Sequence, residues 1–315
     1  MKKFTIRLLL FCLAPVPLLY LAQYVIDTGL QRSRHFFYSE WNDLFNGKIN
    51  ADMLICGSSR AWVQISPRIL DSNLHINSYN LGMDGSPFSI QFARLKLYLK
   101  HNTKPKYIIQ EVGYTSTLVK YNELPTPQQF LPYLSDPEIW KVTQGSNMPF
   151  SPVDRYFPLY KYNNELPLIK EGLLSYIGKG VKSTKYKGYE GRTMVWDSSF
   201  HYFKLSNPGG KVWPIHEGAV AEFRQYLELC KANDIKVIMV YPPAFIESLD
   251  FIVNKAEILD VYTKFAAEYH IPFLNHMYDS LNYSRANFYN SQHLNKAGSE
   301  VFTHELAEEI RQYVR

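Results

Sequence analysis

Three short segments of the sequence carry residue types that could perform acyl transfer. The first, Gly57–Arg60 (Gly-Ser-Ser-Arg), follows a short apolar run, and its glycine permits a tight turn that exposes Ser59 at the start of a helix. The free N–H groups and the positive dipole end of that helix would stabilise an anion developing beside the serine. Most serines at such a junction only cap the helix. This segment alone therefore leaves a nucleophile and a structural cap as alternatives.

The other two segments contain a glycine turn and a histidine. Residues 80–85 (Asn-Leu-Gly-Met-Asp-Gly) form a turn in which Gly82 could offer its N–H to an oxyanion. His293 lies directly before the last predicted helix, in a position from which a general base could reach across the strand ends. A lone histidine near a helix start is more often a structural residue. Because ligands of open parallel sheets bind at the carboxyl ends of the strands, we expect the three segments to meet there.

The elements that must position these segments alternate from Ala51 onward between short apolar runs and amphipathic stretches. Such alternation predicts an α/β fold, a three-layer domain with a parallel sheet between helices. Apolar periodicity and stop signals place the individual elements. Strands are predicted at 52–56, 76–80, 107–109, 236–241 and 271–274, and helices at 87–100, 219–232, 255–269 and 296–314.

The alternation fails between about 115 and 214, where the sequence is rich in Tyr, Pro, Trp, Lys and Asn. A structureless loop of that length is uncommon in a compact domain, so short helices and hairpins forming a cap are predicted. The domain prediction is therefore an α/β domain over 31–114 and 215–315 with an insertion at 115–214. The insertion contains six aromatic residues of interest: Tyr156, Phe157, Tyr160, Tyr162, Trp196 and Tyr202. Their side chains either face a sugar or lipid-linked substrate or pack within the insertion itself, and we favour packing.

The amino terminus, residues 1–30, reads as a membrane anchor or a signal segment. After Lys2, Lys3 and Arg7 comes an apolar stretch over 8–25 that is long enough to cross most of a bilayer core of about 30 Å. Pro15 and Pro17 would kink such a helix and also resemble the end of a signal-peptide core, so cleavage is the rival interpretation. No clear small-x-small cleavage site follows, which favours an uncleaved anchor.

The positive charges before the apolar stretch predict a single-pass protein of the cytoplasmic membrane with its body on the extracytoplasmic side, secreted if the segment is cleaved. Composition excludes other classes: 46% hydrophobic and 20% charged residues with a net charge of +5 indicate a globular chain. The sequence contains no basic run interleaved with aromatic residues, so nucleic-acid binding is not indicated. No metal-binding, phosphate-loop or dinucleotide motif is present, so neither a metal nor a cofactor is predicted.

The order of the three segments resembles the SGNH, or GDSL-like, hydrolase superfamily. Residues 57–59 match its nucleophile motif with Ser59 as the nucleophile, Gly82 matches its oxyanion glycine, and 290–293 (Asn-Ser-Gln-His) match its terminal Asp-x-x-His. The resemblance implies a flavodoxin-like three-layer fold and a serine-dependent esterase. Through 57–60 (Gly-Ser-Ser-Arg) and 293–295 (His-Leu-Asn), the chain most resembles membrane-anchored members of the D-alanyl-lipoteichoic acid transfer and alginate acetylation type.

Two positions depart from the superfamily pattern. Residues 110–114 (Gln-Glu-Val-Gly-Tyr) stand where the superfamily has Gly-x-Asn-Asp, so one oxyanion donor is missing. Asn290 replaces the triad aspartate; it can hold the imidazole tautomer but cannot stabilise an imidazolium by charge. A reduced dyad, an acyl-transfer role that depends on a partner, and an inactive binding domain all stay open.

The combined prediction is an extracytoplasmic serine-dependent esterase or O-acyltransferase acting on a cell-surface glycan or polymer. Ser59 would be the nucleophile, His293 the base and Asn290 its orienting residue, with the N–H groups of Ser59 and Gly82 as oxyanion donors. Arg60, Asn80 and Asp84 lie in the two turns and are candidate substrate contacts. The predicted partners are an acylated glycan or polymer, a membrane O-acyltransferase, and the membrane through residues 8–25. The alternative is a catalytically weak or inactive scaffold in a surface-polymer modification or export complex.

Overall fold

The computed structural model of the protein describes residues 2–120 and 123–314. In chain order its helices are α1 (Lys2–Leu13), α2 (Val16–Leu30), α3 (Ser39–Phe45), α4 (Ser59–Gln64), α5 (Pro67–Leu74), α6 (Phe88–His101), α7 (Pro137–Thr143), α8 (Pro152–Tyr156), α9 (Leu166–Tyr176), α10 (Ser199–Ser206), α11 (Glu217–Ala232), α12 (Ile246–Asp250), α13 (Lys255–Tyr269) and α14 (Lys296–Ile310). The strands are β1 (Met53–Cys56), β2 (Ser78–Asn80), β3 (Tyr107–Glu111), β4 (Lys236–Tyr241), β5 (Phe273–Asn275), β6 (Phe288–Asn290) and β7 (His293–Leu294).

Five parallel strands form the main sheet in the order β2-β1-β3-β4-β5, and β6 and β7 pair separately and antiparallel. Met53 stands opposite Ser78 of β2 and Tyr107 of β3, and Tyr107 stands opposite Lys236 of β4. Parallel neighbours require a crossover, which helices supply here. The predicted α/β class with a parallel sheet is confirmed. The strand predicted at 236–241 and the helix predicted at 255–269 have the predicted ends.

Helices cover both faces of the sheet because its strands are apolar on both sides. Met53, Ile55 and Ile109 pack in one buried core with residues of α5 and α14. On the other side α6 and α11 meet through Phe88 and Phe223, whose ring centroids are 5.2 Å apart. The site described below therefore stands on a rigid base, the carboxyl edge of a doubly covered sheet.

The chain divides into two compact units, which we call the helical unit (Met1–Asn46 and Asn122–Ser183) and the α/β unit (Gly47–Tyr121 and Thr184–Arg315). This division differs from the predicted one, because the stretch 115–214 is shared between them. Within the helical unit α2 crosses α9 closely: a Cβ on Gly29 would lie 1.8 Å from the carbonyl oxygen of Gly172. Residues 184–214 belong to the α/β unit, where the Lys187 carbonyl accepts from the N–H of Asn80 at 2.9 Å.

The amino-terminal segment differs from the predicted single helix over 8–25. It consists of α1 and α2, which are separated at Ala14 and Pro15. Pro15 and Pro17 lack the N–H groups that would continue the helical ladder, so the second helix starts anew there. Among the residues that the structure describes, no helix is both long enough and apolar enough to cross a membrane.

The aromatic residues of the predicted insertion occupy three kinds of environment. Tyr162 is buried in the helical unit, where its hydroxyl donates to Asp27. In the α/β unit Trp196 packs on Phe245 with ring centroids 4.8 Å apart. The remaining four are exposed: Tyr156, Phe157, Tyr160 and Tyr202.

Candidate active site

The turn after β1 places Ser59 as the first residue of α4. Gly57 adopts a φ of 152°, and a Cβ there would lie 2.6 Å from the Cβ of Glu111, so only glycine fits. Ser58 is the N-cap, and its hydroxyl accepts from the N–H of Arg60 at 3.3 Å. The capping role thus falls to Ser58, which leaves the Ser59 hydroxyl available for chemistry.

The Ser59 hydroxyl is hydrogen-bonded to His293, with Oγ 2.7 Å from Nε2. On the other side of the ring, Nδ1 lies 2.9 Å from Oδ1 of Asn290. The same oxygen accepts the backbone N–H groups of Gln292 and His293, each at 3.0 Å. All three residues of the predicted relay, which lie as far as 234 positions apart in the sequence, are therefore brought into one hydrogen-bonded chain.

The hydrogen bonds to Asn290 assign the tautomer of His293. Because Oδ1 already accepts two backbone N–H groups, the amide oxygen faces the imidazole, and Nδ1 must carry the proton in order to donate to it. The lone pair of Nε2 then points to the Ser59 hydroxyl. This arrangement lets the imidazole accept the serine proton as a general base.

The environment of His293 keeps the imidazole neutral. Its pKa is lowered from 6.5 to about 3, first by burial and then by the charge of Arg60, while Asp197 acts in the opposite direction. The ring of Tyr289 stacks on the imidazole with centroids 5.3 Å apart and planes 7° from parallel, which restricts its rotation. A base held neutral in this way is ready to accept a proton, but its imidazolium form is poorly stabilised.

A buried carboxylate holds the serine turn from behind. Glu111, at the end of β3, accepts both the N–H and the hydroxyl of Ser58 at Oε2, each at 2.8 Å. Its side chain is fully buried, so these hydrogen bonds are shielded from water. Glu111 therefore fixes the residue before the nucleophile. The signal in the sequence was a single acid at the end of a strand that begins with the apolar run Tyr-Ile-Ile.

The oxyanion side differs from the prediction. Ser59 opens α4, so its N–H has no acceptor one turn earlier within the helix and can serve as a donor. The N–H of Gly82, however, donates to Oδ1 of Asn80 at 2.7 Å. A Cβ at Gly82 would also lie 2.3 Å from the backbone nitrogen of Trp62, so this glycine is required for close packing. In this structure the predicted second donor is committed within the protein.

Two of the three candidate substrate contacts are used internally. Asn80 is fully buried, and its Nδ2 donates to the carbonyls of Ala61 and Ile65 at 2.7 and 2.9 Å, which ties the second turn to α4. Arg60 is 1% exposed and donates to the carbonyl of Pro242. These positions differ from the predicted substrate-binding roles, because a buried side chain cannot meet a substrate.

Arg60 lies instead beneath the site, where its guanidinium carbon is 4.8 Å from the ring centroid of Tyr241. Its charge acts on the base, since it lowers the pKa of His293. Asp84, the third candidate, is exposed in the second turn and stays a candidate contact. In the two described ranges no group of three His, Cys, Asp or Glu side chains could hold a metal ion.

Trp62 is a further residue that sequence reasoning missed. It follows Ser59 by three positions in α4, so it lies on the same face of the helix. The guanidinium carbon of Arg192 lies 4.7 Å from its ring centroid, and Nζ of Lys185 lies 5.2 Å from it. The spacing from Ser59 was the available signal, whereas both cations come from the irregular stretch after residue 183.

Comparison with known proteins finds no matching family model and no matching curated protein. Three solved structures are similar over most of the chain. A protein proposed to be an acylhydrolase from Bacteroides fragilis NCTC 9343 shares 14% identity, with 84% of this chain and 88% of that chain covered and a TM-score of 0.40.

The second is a protein proposed to be a lipolytic member of the G-D-S-L family from Desulfitobacterium hafniense DCB-2, with 12% identity, 81% and 97% coverage and a TM-score of 0.42. The third is a GDSL-like lipase from Bacteroides thetaiotaomicron VPI-5482, with 12% identity, 82% and 87% coverage and a TM-score of 0.37. These similarities are weak. The functional assignment of this chain rests on the geometry of its site.

Proposed function

We propose that this chain is a serine-dependent esterase or O-acyltransferase. The observation that carries the proposal is the continuous hydrogen-bonded chain from Ser59 through His293 to Asn290, with distances of 2.7 and 2.9 Å. A serine at a helix start, a neutral imidazole in the correct tautomer and an orienting amide are the parts that nucleophilic acyl transfer requires.

The reaction proceeds through an acyl-enzyme. Oγ of Ser59 attacks the acyl carbon, Nε2 of His293 takes the serine proton, and the carbonyl oxygen becomes an oxyanion near the N–H of Ser59. Collapse expels the alcohol, which takes the proton from Nε2. Water or an acceptor hydroxyl then attacks the acyl-enzyme and gives its own proton to Nε2 of His293. The second tetrahedral intermediate collapses by expelling Oγ of Ser59, which takes that proton back, and the acid or new ester leaves. Each cycle returns Ser59 and His293 to their starting forms.

Labelling with a fluorophosphonate probe tests this proposal, because such a probe reacts with a serine that an adjacent base activates. Ser59→Ala should abolish labelling and leave the fold intact, since this serine does not form the cap. Ser58→Ala is the control at the neighbouring serine and should keep labelling, at a stability cost of about 2–4 kcal/mol for the lost cap and the lost hydrogen bond to buried Glu111. Loss of labelling in Ser58→Ala but not in Ser59→Ala would overturn the nucleophile assignment.

For the substrate we propose an O-acylated or acyl-accepting glycan or polymer outside the cytoplasmic membrane, with a membrane O-acyltransferase as a partner. The support is the resemblance of 57–60 and 293–295 to envelope-modifying proteins, together with the cations before the apolar amino-terminal segment. A reporter fused after Arg315 tests the location. Activity of a reporter that functions only outside the cytoplasm supports it, and fluorescence of a reporter that folds only in the cytoplasm contradicts it.

The second candidate function is a catalytically weak or inactive scaffold in such a complex. Two observations favour it: Asn290 carries no charge with which to stabilise the imidazolium, and the N–H of Gly82 is bound to Asn80. A folded chain that reacts with no serine probe and hydrolyses no simple ester would fit this alternative. The effect of Asn290→Asp, described below, separates the two functions.

A further inference from the structure

A cavity of about 190 Å³ opens in the α/β unit beside the turn that carries His293. Its walls are mainly aromatic and aliphatic, supplied by Tyr114, Phe200, Phe203, Trp213, Phe251 and Ile252. The ring centroids of Tyr114 and Trp213 lie 5.2 Å apart, and those of Phe203 and Phe251 lie 5.8 Å apart. Such walls suit an uncharged, apolar guest.

Two hydroxyls of the lining already have hydrogen-bond partners within the protein. Oγ of Ser248 lies 2.8 Å from the carbonyl oxygen of Phe245 and 2.9 Å from that of Ser291, so its single O–H has an acceptor within the protein. The hydroxyl of Ser199 donates to Asp197 at 2.6 Å. These two hydroxyls therefore lose no hydrogen bond when an apolar guest lies beside them.

The cavity adjoins the catalytic residues through the chain itself. Ser291 and Gln292 line it, and they form the turn between Asn290 and His293. Tyr114 lies three residues beyond the end of β3, and the α12 residues lie beyond the end of β4, so the cavity is at the carboxyl edge of the sheet. Ligands of open α/β sheets bind at this edge.

The size of the cavity limits its guest. An apolar cavity of about 150 Å³ holds one benzene molecule, so about 190 Å³ accommodates a chain of roughly six carbons. An acetyl group would leave most of this space unfilled.

We propose that this cavity binds the acyl chain of the substrate, and that the chain is an apolar acyl group of about six carbons rather than acetyl. The inference rests on the serine-dependent acyl transfer proposed above and assigns the acyl side of that reaction. The acyl carbon lies at Ser59, and its chain runs past Gln292 into the aromatic walls.

Hydrolysis of p-nitrophenyl esters from acetyl to decanoyl tests the assignment. Burial of one methylene contributes ~0.8 kcal/mol, so kcat/KM should rise about fourfold per added methylene up to hexanoyl and then stop rising. Phe203→Ala enlarges the cavity and should move the optimum to longer chains, whereas Phe203→Trp should move it to shorter ones. Tyr202→Ala is the matched control, since this neighbouring aromatic is 64% exposed and does not line the cavity.

An acetyl optimum in the wild type, or equal shifts in Phe203→Ala and Tyr202→Ala, would overturn the proposal. A binding measurement, which involves no turnover, tests the cavity assignment independently of the proposed reaction. In a Ser59→Ala background, hexanoate but not acetate should change the fluorescence of Trp213, and Trp213→Phe should remove that change. Hexanoate binding in a chain that hydrolyses no ester would support the cavity assignment and reject the enzyme. An absent hexanoate signal would reject the cavity assignment itself.

Discussion

The turns after β1 and β2 lie at the same edge of the sheet but are built in opposite ways. The first turn directs Ser59 outward to His293, while Ser58 and Glu111 hold it from behind. The second turn closes on itself, since the N–H of Gly82 donates to Asn80, whose amide binds α4. The groups that move a proton are therefore assembled, whereas one of the two predicted oxyanion donors, the N–H of Gly82, is occupied. The difference indicates a site whose limit is charge stabilisation and not positioning.

Among the tests of this comparison, removal of the general base, His293, should change the activity of the site the most. In His293→Gln, labelling by the serine probe and ester hydrolysis should fall by about 10²–10⁴-fold, the usual contribution of a positioned general base. His201→Gln is the matched control, because His201 is exposed on α10 and should be dispensable. Equal rates in His293→Gln and the wild type would show that the assembled turn does not work as a dyad.

Restoring a carboxylate at position 290 should have the next largest effect. In serine proteases the change from the triad Asp to Asn lowers turnover by about 10⁴, so Asn290→Asp should raise hydrolysis of a simple ester by one or more factors of ten. Each factor of ten requires only ~1.4 kcal/mol, which one carboxylate beside an imidazolium can supply. The measurement is the initial rate of hydrolysis in purified protein.

The increase must vanish in a Ser59→Ala background, which is the control for hydrolysis elsewhere. Unchanged background activity in a folded Asn290→Asp protein would favour the scaffold function. A decrease from a measurable starting rate would mean that another acid already serves His293. Asp197 is the first such acid to test, because its charge acts on the pKa of this imidazole.

The backbone framework and the relay could be predicted from the sequence because they depend on local signals. Apolar runs place the strands, and Gly57, Ser59 and His293 follow at strand ends or precede a helix. The parallel order of the strands then brings these residues together over more than 200 positions without further information. Asn290 is predicted as the partner of His293 in a different way, from the resemblance of 290–293 to a terminal Asp-x-x-His.

The side-chain partners could not be predicted, because they depend on tertiary packing. Nothing local shows that Asn80 binds the N–H of Gly82, or that the guanidinium of Arg60 turns inward to the Pro242 carbonyl. The same holds for the division of the insertion, which follows from the close crossing of α2 and α9 at Gly29 and Gly172. The sequence predicts substrate contacts from the charged and amide residues of the turns, whereas packing makes two of them, Arg60 and Asn80, structural.

The smallest effect concerns the pH dependence, which measures how far burial keeps His293 neutral. Because its pKa is lowered to about 3, the imidazole should stay an acceptor well below the ordinary 6.5, and the labelling rate should hold nearly constant from pH 8 to pH 5. The lowered pKa also means that below pH 6.5 the unfolded chain binds a proton that the folded chain does not. The free energy of unfolding should therefore fall as the pH drops from 6.5 towards 3.

His293→Gln should remove this part of the pH dependence of stability, and denaturant unfolding at pH 7 and pH 5 measures it. Asn290→Asp should move the acid limb of the labelling rate upward, because a carboxylate beside the ring favours the imidazolium. If the acid limb of the wild-type labelling rate had its midpoint near pH 6.5, the lowered pKa of His293 would be contradicted. Such a midpoint would mean that water reaches the imidazole and that neither burial nor Arg60 controls its charge. The two turns would then no longer differ in the way the hydrogen bonds indicate, because the proton-transfer side would be as solvated as an ordinary surface histidine.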